Sequence, residues 1–324
     1  MTSRRLAVVF VFLGGALRVW QYAADTSLWL DEVAVAREIL ERPLGALLTT
    51  PLDQAAPRGF LLIEKLAVMA LGGDDLVLRL LPLLGSLAAL LGFWRLAERV
   101  LEGMAPAVAV ALFAGAAPLI GYGSMVKQYS TDVAVAVLLL WLAVDLHERG
   151  PTRRRVAWAA AAGAAAAWIS QPAVFVLAGL GAGLVLLEWR RERTEGAGPR
   201  ALAPLLALWG LSAAAATAVN LATVTPVARE YLHRFWAATM MPGPLEAVRT
   251  LWPARNLRWL LGRGGQASLF YPLPGLYLAL MALGLWRLWR RRPDAAVFIL
   301  APIAATALAG AARQYPFGDR LILF

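Results

Sequence analysis

Hydrophobic residues fall into long runs that alternate with short arginine-rich segments and with two longer polar segments. A helix that crosses ~30 Å of hydrocarbon needs about 20 apolar residues. The chain has seven such runs. Two of them have basic residues at both ends and must therefore cross the membrane twice, so the runs predict about nine transmembrane helices. The runs are residues 6–22, 76–96, 104–147, 156–189, 201–220, 271–289 and 295–312. Because backbone amides in lipid must be satisfied within their own segment, the predicted fold class is an all-α polytopic membrane protein.

The basic residues predict how these helices are oriented. Arg4 and Arg5 precede the first run and arginines flank the short connections, so the N-terminus and these connections are expected in the cytoplasm. Two long loops, at about 23–75 and 223–270, are then external. Within the first loop, residues 59–71 are apolar but too few to span the bilayer, so they predict an interfacial or re-entrant helix.

Composition supports the membrane assignment and excludes several classes of protein. The 324 residues are 60% hydrophobic and 16% charged, whereas soluble domains have ~45–50% and ~25%. The net charge of +10 lies in clusters between apolar runs, a pattern that indicates membrane orientation and no nucleic-acid partner. The absence of cysteine excludes disulfides and thiol chemistry. We expect residues 1–324 to form a single transmembrane domain, truncated at its C-terminus because residues 321–324 resemble the start of another helix.

Polar side chains gather on the predicted external side. A charge at the bilayer centre costs ~2.5–3.5 kcal/mol, so the positions of charges near apolar runs are informative. They fall into three segments, in the first loop, after the third span and at the C-terminal edge, and their shared side predicts a polar cavity. The charged and polar residues are Asp25, Asp31, Glu32, Asp53, Arg58, Glu64, Lys65, Lys127, Gln128, Tyr129, Asp132, Arg313, Tyr315, Asp319 and Arg320.

The adjacent acids Asp31 and Glu32 are the sharpest feature of the first loop. A carboxylate beside a membrane cavity can act as a general base that deprotonates a hydroxyl nucleophile. An equally physical interpretation is that Asp31 caps a helix and that Glu32 lies in its first turn, where the helix dipole favours a negative charge. Both interpretations stay open from these residues alone.

The cations also have two interpretations each. Lys127 can bind a phosphate as a compact charge, or it can be a snorkelling interfacial lysine next to the belt residue Tyr129. Arg79 is most simply an ion pair with Asp75, four residues earlier. The two histidines, His147 and His233, are expected on opposite membrane faces, so neither a metal site nor a cofactor is predicted.

Together these residues resemble the polyprenyl-phosphate-sugar-dependent GT-C glycosyltransferases, which include protein O-mannosyltransferases and lipid A aminoarabinose transferases. The resemblance depends on the order, spacing and sidedness of five segments across nearly the whole chain. The segments are residues 28–32, 56–60, 72–82, 127–130 and 315–320.

The resemblance implies a function and roles for individual residues. Asp31 would be the general base and Glu32 would position it, while the external cations would hold the phosphate of a polyprenyl-phosphate-linked sugar donor. The implied phosphate-binding residues are Lys127, Tyr129, Arg58, Arg79 and Arg320. The sugar would move, with inversion, to a hydroxyl of a glycan, lipid or protein acceptor. The implied location is the plasma membrane, with the active site on the external face.

Two positions depart from the family, and one rival function stays open. Arg58 stands where many relatives have a second proline, and Met125 stands where many have an acid. A transporter or lipid flippase without transfer chemistry would also explain clustered charges and the helix break at Ser170-Gln171-Pro172. The transferase is preferred because the charges lie at one face rather than at the bilayer midplane, and because no inverted repeat is visible.

Overall fold

The computed structural model describes residues 2–195, 199–252, 254–255 and 274–317. These residues form helices and their connections, as expected of an all-α protein, with one isolated β-bridge between Leu52 and Val224. The first nine helices are α1 (Ser3–Ala23), α2 (Leu30–Glu41), α3 (Leu44–Thr49), α4 (Arg58–Leu71), α5 (Asp75–Leu78), α6 (Leu80–Val100), α7 (Ala105–Gly115), α8 (Ala117–Gly121) and α9 (Tyr129–Arg149). The remaining helices are α10 (Arg153–Ile169), α11 (Ala173–Glu195), α12 (Ala203–Ala222), α13 (Pro226–Trp236), α14 (Pro244–Arg249), α15 (Pro274–Arg291) and α16 (Pro293–Ala311).

Six helical segments of the described chain are long and apolar enough to cross a membrane, and the bent pair α7–α8 makes a seventh if it is one span. The six are residues 3–23, 75–100, 129–149, 173–192, 200–222 and 293–311. The other two predicted crossings are also helices, but α10 has only 17 residues, or about 26 Å of rise, and α15 carries Arg287, Arg290 and Arg291. The chain is thus a helical protein compatible with multiple membrane passes, and a total of nine crossings stays a prediction.

The spans alternate in direction, which gives the bundle two distinct ends. We call the end at which α9 begins, at Tyr129, the upper end, and the end at which it finishes, at Arg149, the lower end. The main helix pairs are α6 with α9, α1 with α7, α10 with α12, and α11 with α16. Glycine permits the close approach of α11 to α16, because a β-carbon at Gly179 would clash with the backbone nitrogen of Pro302.

A buried arginine holds the break between α7 and α8, where the chain bends by 57°. The bend frees carbonyls in the last turn of α7, and the guanidinium of Arg18 donates to those of Ala114 (3.0 Å) and Phe113 (3.4 Å). It also donates to Ser86 Oγ (2.8 Å), which in turn donates to the carbonyl of Leu119 in α8 (2.9 Å). Arg18 therefore joins α1, α6, α7 and α8 near the upper end.

The first long loop folds as a compact helical layer. Helices α2, α3 and α4 enclose an apolar cluster that includes Ile39, Leu47 and Phe60. Helix α4 confirms a short helix at about residues 59–71 that is not among the candidate spans. This layer is joined to the upper end of α12 by the bridge between Leu52 and Val224.

The lower end is closed by an ion-pair network. Arg99 of α6 contacts Asp145 (3.0 Å) and Glu148 (2.6 Å) of α9. Arg292, in the connection between α15 and α16, contacts Glu148 (2.6 Å) and Asp294 (2.8 Å). This lower network therefore ties three separate parts of the chain together at the end opposite Tyr129.

Candidate functional site

The N-terminus of α2 carries the predicted acidic pair at the upper end. Helix α2 begins at Leu30 with Trp29 as its N-cap, so Asp31 is inside the helix and does not cap it. The carboxylate of Glu32 is the group that accepts from the Trp29 backbone N–H (3.0 Å). The helix-cap interpretation therefore applies to Glu32 and not to Asp31, whose side chain is 40% exposed.

Glu32 also connects α2 to the segment that precedes α9. Its second carboxylate oxygen, Oε1, accepts from the backbone N–H of Val126 at 2.8 Å, across 94 residues of sequence. Val126 adjoins Lys127, so Glu32 fixes the turn that presents this lysine. The Glu32 side chain is almost fully buried, and a carboxylate bonded to two backbone N–H groups in such a position is rigidly held.

Lys127 and Asp31 face each other at this junction. The Lys127 ammonium lies 3.8 Å from Asp31 Oδ1, with the lysine side chain only 8% exposed. A snorkelling interfacial lysine would extend toward water, and Lys127 instead points inward at a carboxylate. Tyr129, the first residue of α9, is buried with its ring edge-to-face to Tyr122 at 5.0 Å.

Arg79 lies at the junction of α5 and α6 and contacts one member of the acidic pair, Glu32. Its Nε lies 3.8 Å from Glu32 Oε1, and its Nη1 lies 3.3 Å from Asp25 Oδ1. Arg79 therefore pairs with Asp25 and Glu32, and not with Asp75 as the sequence spacing suggested. The structure brings Asp31, Glu32, Arg79 and Lys127 together in two neighbouring ion pairs.

Arg58 is placed differently from the other predicted phosphate-binding residues. Its buried guanidinium donates to the backbone carbonyls of Leu47, Thr50 (2.9 Å) and Thr223 (3.3 Å). Burial, together with the nearby Arg42 guanidinium, lowers the pKa of Arg58. These contacts join the helical layer to the end of α12, which is a structural task for this residue.

The C-terminal edge supplies one further aromatic group. Arg320 lies outside the described residues. Tyr315 packs its ring edge-to-face on Phe175 at 4.7 Å. Burial raises the pKa of Tyr315, and the Asp132 carboxyl and the Tyr129 hydroxyl raise it further. Tyr315 and Tyr129 therefore belong to the same upper polar region.

Asp132 and Ser170 form a buried polar pair that was not singled out from the sequence. Asp132 lies in the first turn of α9, and Ser170 lies in the break between α10 and α11. The hydroxyl faces the carboxyl, yet Asp132 Oδ1 and Ser170 Oγ have no hydrogen-bonding partner in the described part of the chain. The signal in the sequence was the Ser170-Gln171-Pro172 break, whose partner on α9 could not be inferred.

Glu64 is a second buried carboxyl that sequence reasoning undervalued. It was grouped with the polar residues of the external side, but its side chain is fully buried in α4 and neither oxygen has a partner among the described residues. Burial raises the pKa of Glu64 to about 9, so the group is a neutral acid at pH 7. The neighbouring Lys65 instead reaches the carbonyl of Ile39 (2.8 Å).

Within the described ranges no group of three or more His, Asp and Glu side chains could hold a metal ion. His147 lies near the lower network, 3.3 Å from Glu188, and His233 is exposed on α13.

Comparison with known proteins identifies no relative. No family model, curated protein or solved structure matches this chain. The fold and the site define the chain as a helical protein with several apolar, membrane-length helices and a polar site at their upper end.

The arrangement offers two complementary chemical groups. Asp31 is a partly exposed carboxylate that can accept a proton, and Lys127 is a nearly buried cation beside it. Glu32 and Arg79 fix the backbone segments that carry both groups. A base and an anion-binding cation held side by side suit a reaction in which a hydroxyl is deprotonated while a phosphate departs.

Proposed function

We propose that the protein is a membrane glycosyltransferase that transfers a sugar from a polyprenyl-phosphate donor to a hydroxyl acceptor. The observation that carries this proposal is the contact of Asp31 with Lys127, 3.8 Å apart and 96 residues apart in sequence. The upper end would face the outside of the plasma membrane, with the N-terminus in the cytoplasm. The acceptor hydroxyl would belong to a glycan, a lipid or a protein.

In the proposed reaction Asp31 takes the proton of the acceptor hydroxyl. The acceptor oxygen forms a bond to the anomeric carbon as the bond from that carbon to the phosphate oxygen breaks, which inverts the anomeric centre. The electron pair of the broken bond stays on the phosphate, whose added charge Lys127 stabilises.

The ion pair suggests an order of binding. A donor phosphate that binds Lys127 would compete with Asp31 for the ammonium group, because the two lie only 3.8 Å apart. Donor binding would therefore free the Asp31 carboxylate to contact the acceptor hydroxyl.

An apolar cavity of about 630 Å³ supports a lipid-linked substrate. It lies among α6, α7, α9, α11, α15 and α16, and it extends from Val133, next to Asp132, toward Val100 and Val144 near the lower end. An isoprenoid chain could lie along this cavity while its phosphate stays at the upper end.

The test is sugar transfer by the purified protein in nanodiscs, with a radiolabelled polyprenyl-phosphate hexose as donor. Asp31→Asn should bind the donor but lose transfer by ~10²–10⁴-fold, the range for a lost general base. Lys127→Ala should weaken donor binding itself, as measured by native mass spectrometry.

Arg37 and Glu41 provide matched controls, because they form an exposed ion pair on the same helix as Asp31. Arg37→Ala and Glu41→Gln should leave both donor binding and transfer unchanged. Full transfer by a folded Asp31→Asn variant would refute the proposal. A lipid flippase would instead move a fluorescent polyprenyl phosphate across vesicles, and Asp31→Asn would not stop it.

A further inference from the structure

Helix α13 presents an apolar stripe that nothing in the described structure covers. The stripe consists of Val227, Tyr231 and Phe235, which recur every four residues and so share one face. Their exposed fractions are 79%, 60% and 52%. Large apolar side chains in a continuous exposed row normally mark a surface that meets lipid or another molecule.

Other positions on α13 are divided between protein contact and charge. Ala228 is buried and Leu232 and Trp236 are partly buried, which identifies the side that rests on the protein. A third side is exposed and polar, and it consists of Arg229, Glu230, His233 and Arg234. A helix with an apolar face, a charged face and low overall hydrophobicity is typical of segments that lie in the plane of a membrane interface.

Both ends of α13 are fastened to the upper ends of membrane-length helices. Before α13, Leu52 donates to the carbonyl of Thr223 (2.7 Å), directly after α12, and the Arg229 guanidinium donates to a carbonyl in the last turn of α12. After α13, the carbonyl of Thr239 accepts from the backbone N–H of Phe317 (3.1 Å), which follows α16. Because α12 and α16 are candidate spans, a helix tied between their upper ends lies at the level of the membrane surface.

Helix α14 and the residues that follow it have the same character. Leu245, Val248 and Leu251 are large apolar residues that are all more than 60% exposed. Trp252 follows them, with its ring 6.3 Å from that of Phe317. The second long loop thus places two successive apolar patches at the level where α16 ends.

We propose that α13 lies in the headgroup layer of the bilayer, with Val227, Tyr231 and Phe235 immersed at its acyl boundary. The occupant of the stripe is therefore lipid of the upper leaflet. This inference does not depend on the proposed sugar-transfer activity. The charged side, with Arg229 and Arg234, faces the headgroups and water, and the helix holds the upper ends of α12 and α16 at a fixed depth.

The absence of native cysteine makes a direct test simple. Single nitroxide labels are placed on the full-length chain in phosphatidylcholine–phosphatidylglycerol nanodiscs through Val227→Cys, Tyr231→Cys and Phe235→Cys. Control labels are placed on the charged side through Glu230→Cys and His233→Cys. Collision with oxygen, which concentrates in lipid, is compared with collision with a water-soluble nickel chelate.

We expect the three stripe positions to collide mainly with oxygen and to be protected from nickel, and the two control positions to show the reverse. Equal access of nickel to all five labels would place the stripe in water and overturn the proposal. Immobilised stripe labels protected from both reagents would show that protein covers the stripe, which would also overturn it. Dipolar broadening in that case would identify a second copy as the cover.

Discussion

Replacement of Glu32 by glutamine tests whether this residue organises the site independently of any enzymatic assay. The carboxylate accepts from the N–H groups of Trp29 and Val126 and lies 3.8 Å from the Arg79 guanidinium. Glutamine keeps the shape but offers only one accepting oxygen. Its amide nitrogen would then face one of the two N–H donors, and Arg79 would lose one of its two carboxylate neighbours.

The expected cost follows from these contacts. A hydrogen bond to a charged group contributes ~1.5–3 kcal/mol, and breaking a buried ion pair costs ~3–5 kcal/mol when no other partner is present. Because Arg79 keeps Asp25 at 3.3 Å, we expect Glu32→Gln to lower the free energy of unfolding by about 2–4 kcal/mol.

Unfolding by dodecyl sulfate in mixed micelles, followed by circular dichroism, measures this loss. The control is Glu41→Gln, which removes a carboxylate from the same helix at a site that is 62% exposed and should cost less than about 1 kcal/mol. Asp31→Asn should also be mild, because Asp31 is 40% exposed. Equal stability of Glu32→Gln and Glu41→Gln would refute the view that Glu32 holds the Lys127 turn in place.

Two further predictions concern buried ionisable groups. Arg18→Met should destabilise the protein by about 2–4 kcal/mol in the same unfolding assay, because several buried carbonyls lose their donor. Ser86→Ala should lower the free energy of unfolding by only roughly 1 kcal/mol. Equal losses of stability in the two variants would contradict the central role of Arg18. Burial raises the pKa of Glu64 to about 9 in the folded protein, above the value of ~4.3 in the unfolded chain. The contribution of Glu64 to the free energy of unfolding is therefore most favourable below about pH 4. It becomes less favourable as the pH rises to about 9, by at most about 1.4 kcal/mol per pH unit. Glu64→Gln should therefore flatten the fall in stability between pH 5 and about 9, and an unchanged pH profile would show that Glu64 is not buried as a neutral acid.

The sequence predicted the apolar helices well because the period and length of apolar runs are local properties. The run at 76–96 became α6 and the run at 295–312 became α16, each within a few residues. The upper boundary of α9 was less accurate. Asp132 was grouped with the polar residues of the external side, but it is buried inside the first turn of this helix.

The contacts of the site could be predicted only in part. The resemblance grouped Asp31, Glu32, Arg79 and Lys127, and the structure places them in neighbouring ion pairs, while their catalytic roles stay predictions. The contact of Glu32 with Val126 could not be foreseen, because it joins a side chain to a backbone N–H in a distant turn.

Arg18 was overlooked for a related reason. Its partners are backbone carbonyls that become available only when the chain bends between α7 and α8. The sequence of side chains does not indicate which backbone carbonyls are free to accept a hydrogen bond. Arg18 therefore looks like an isolated charge until the bend between α7 and α8 is known.

The lower network makes the packing of three helices sensitive to salt. Arg99 and Arg292 share Glu148, so rotation of α16 relative to α6 and α9 must break ion pairs at this end. Because these pairs are partly exposed, salt screens them. Ionic strength on the lower face of the membrane therefore changes how firmly these three helices are held together.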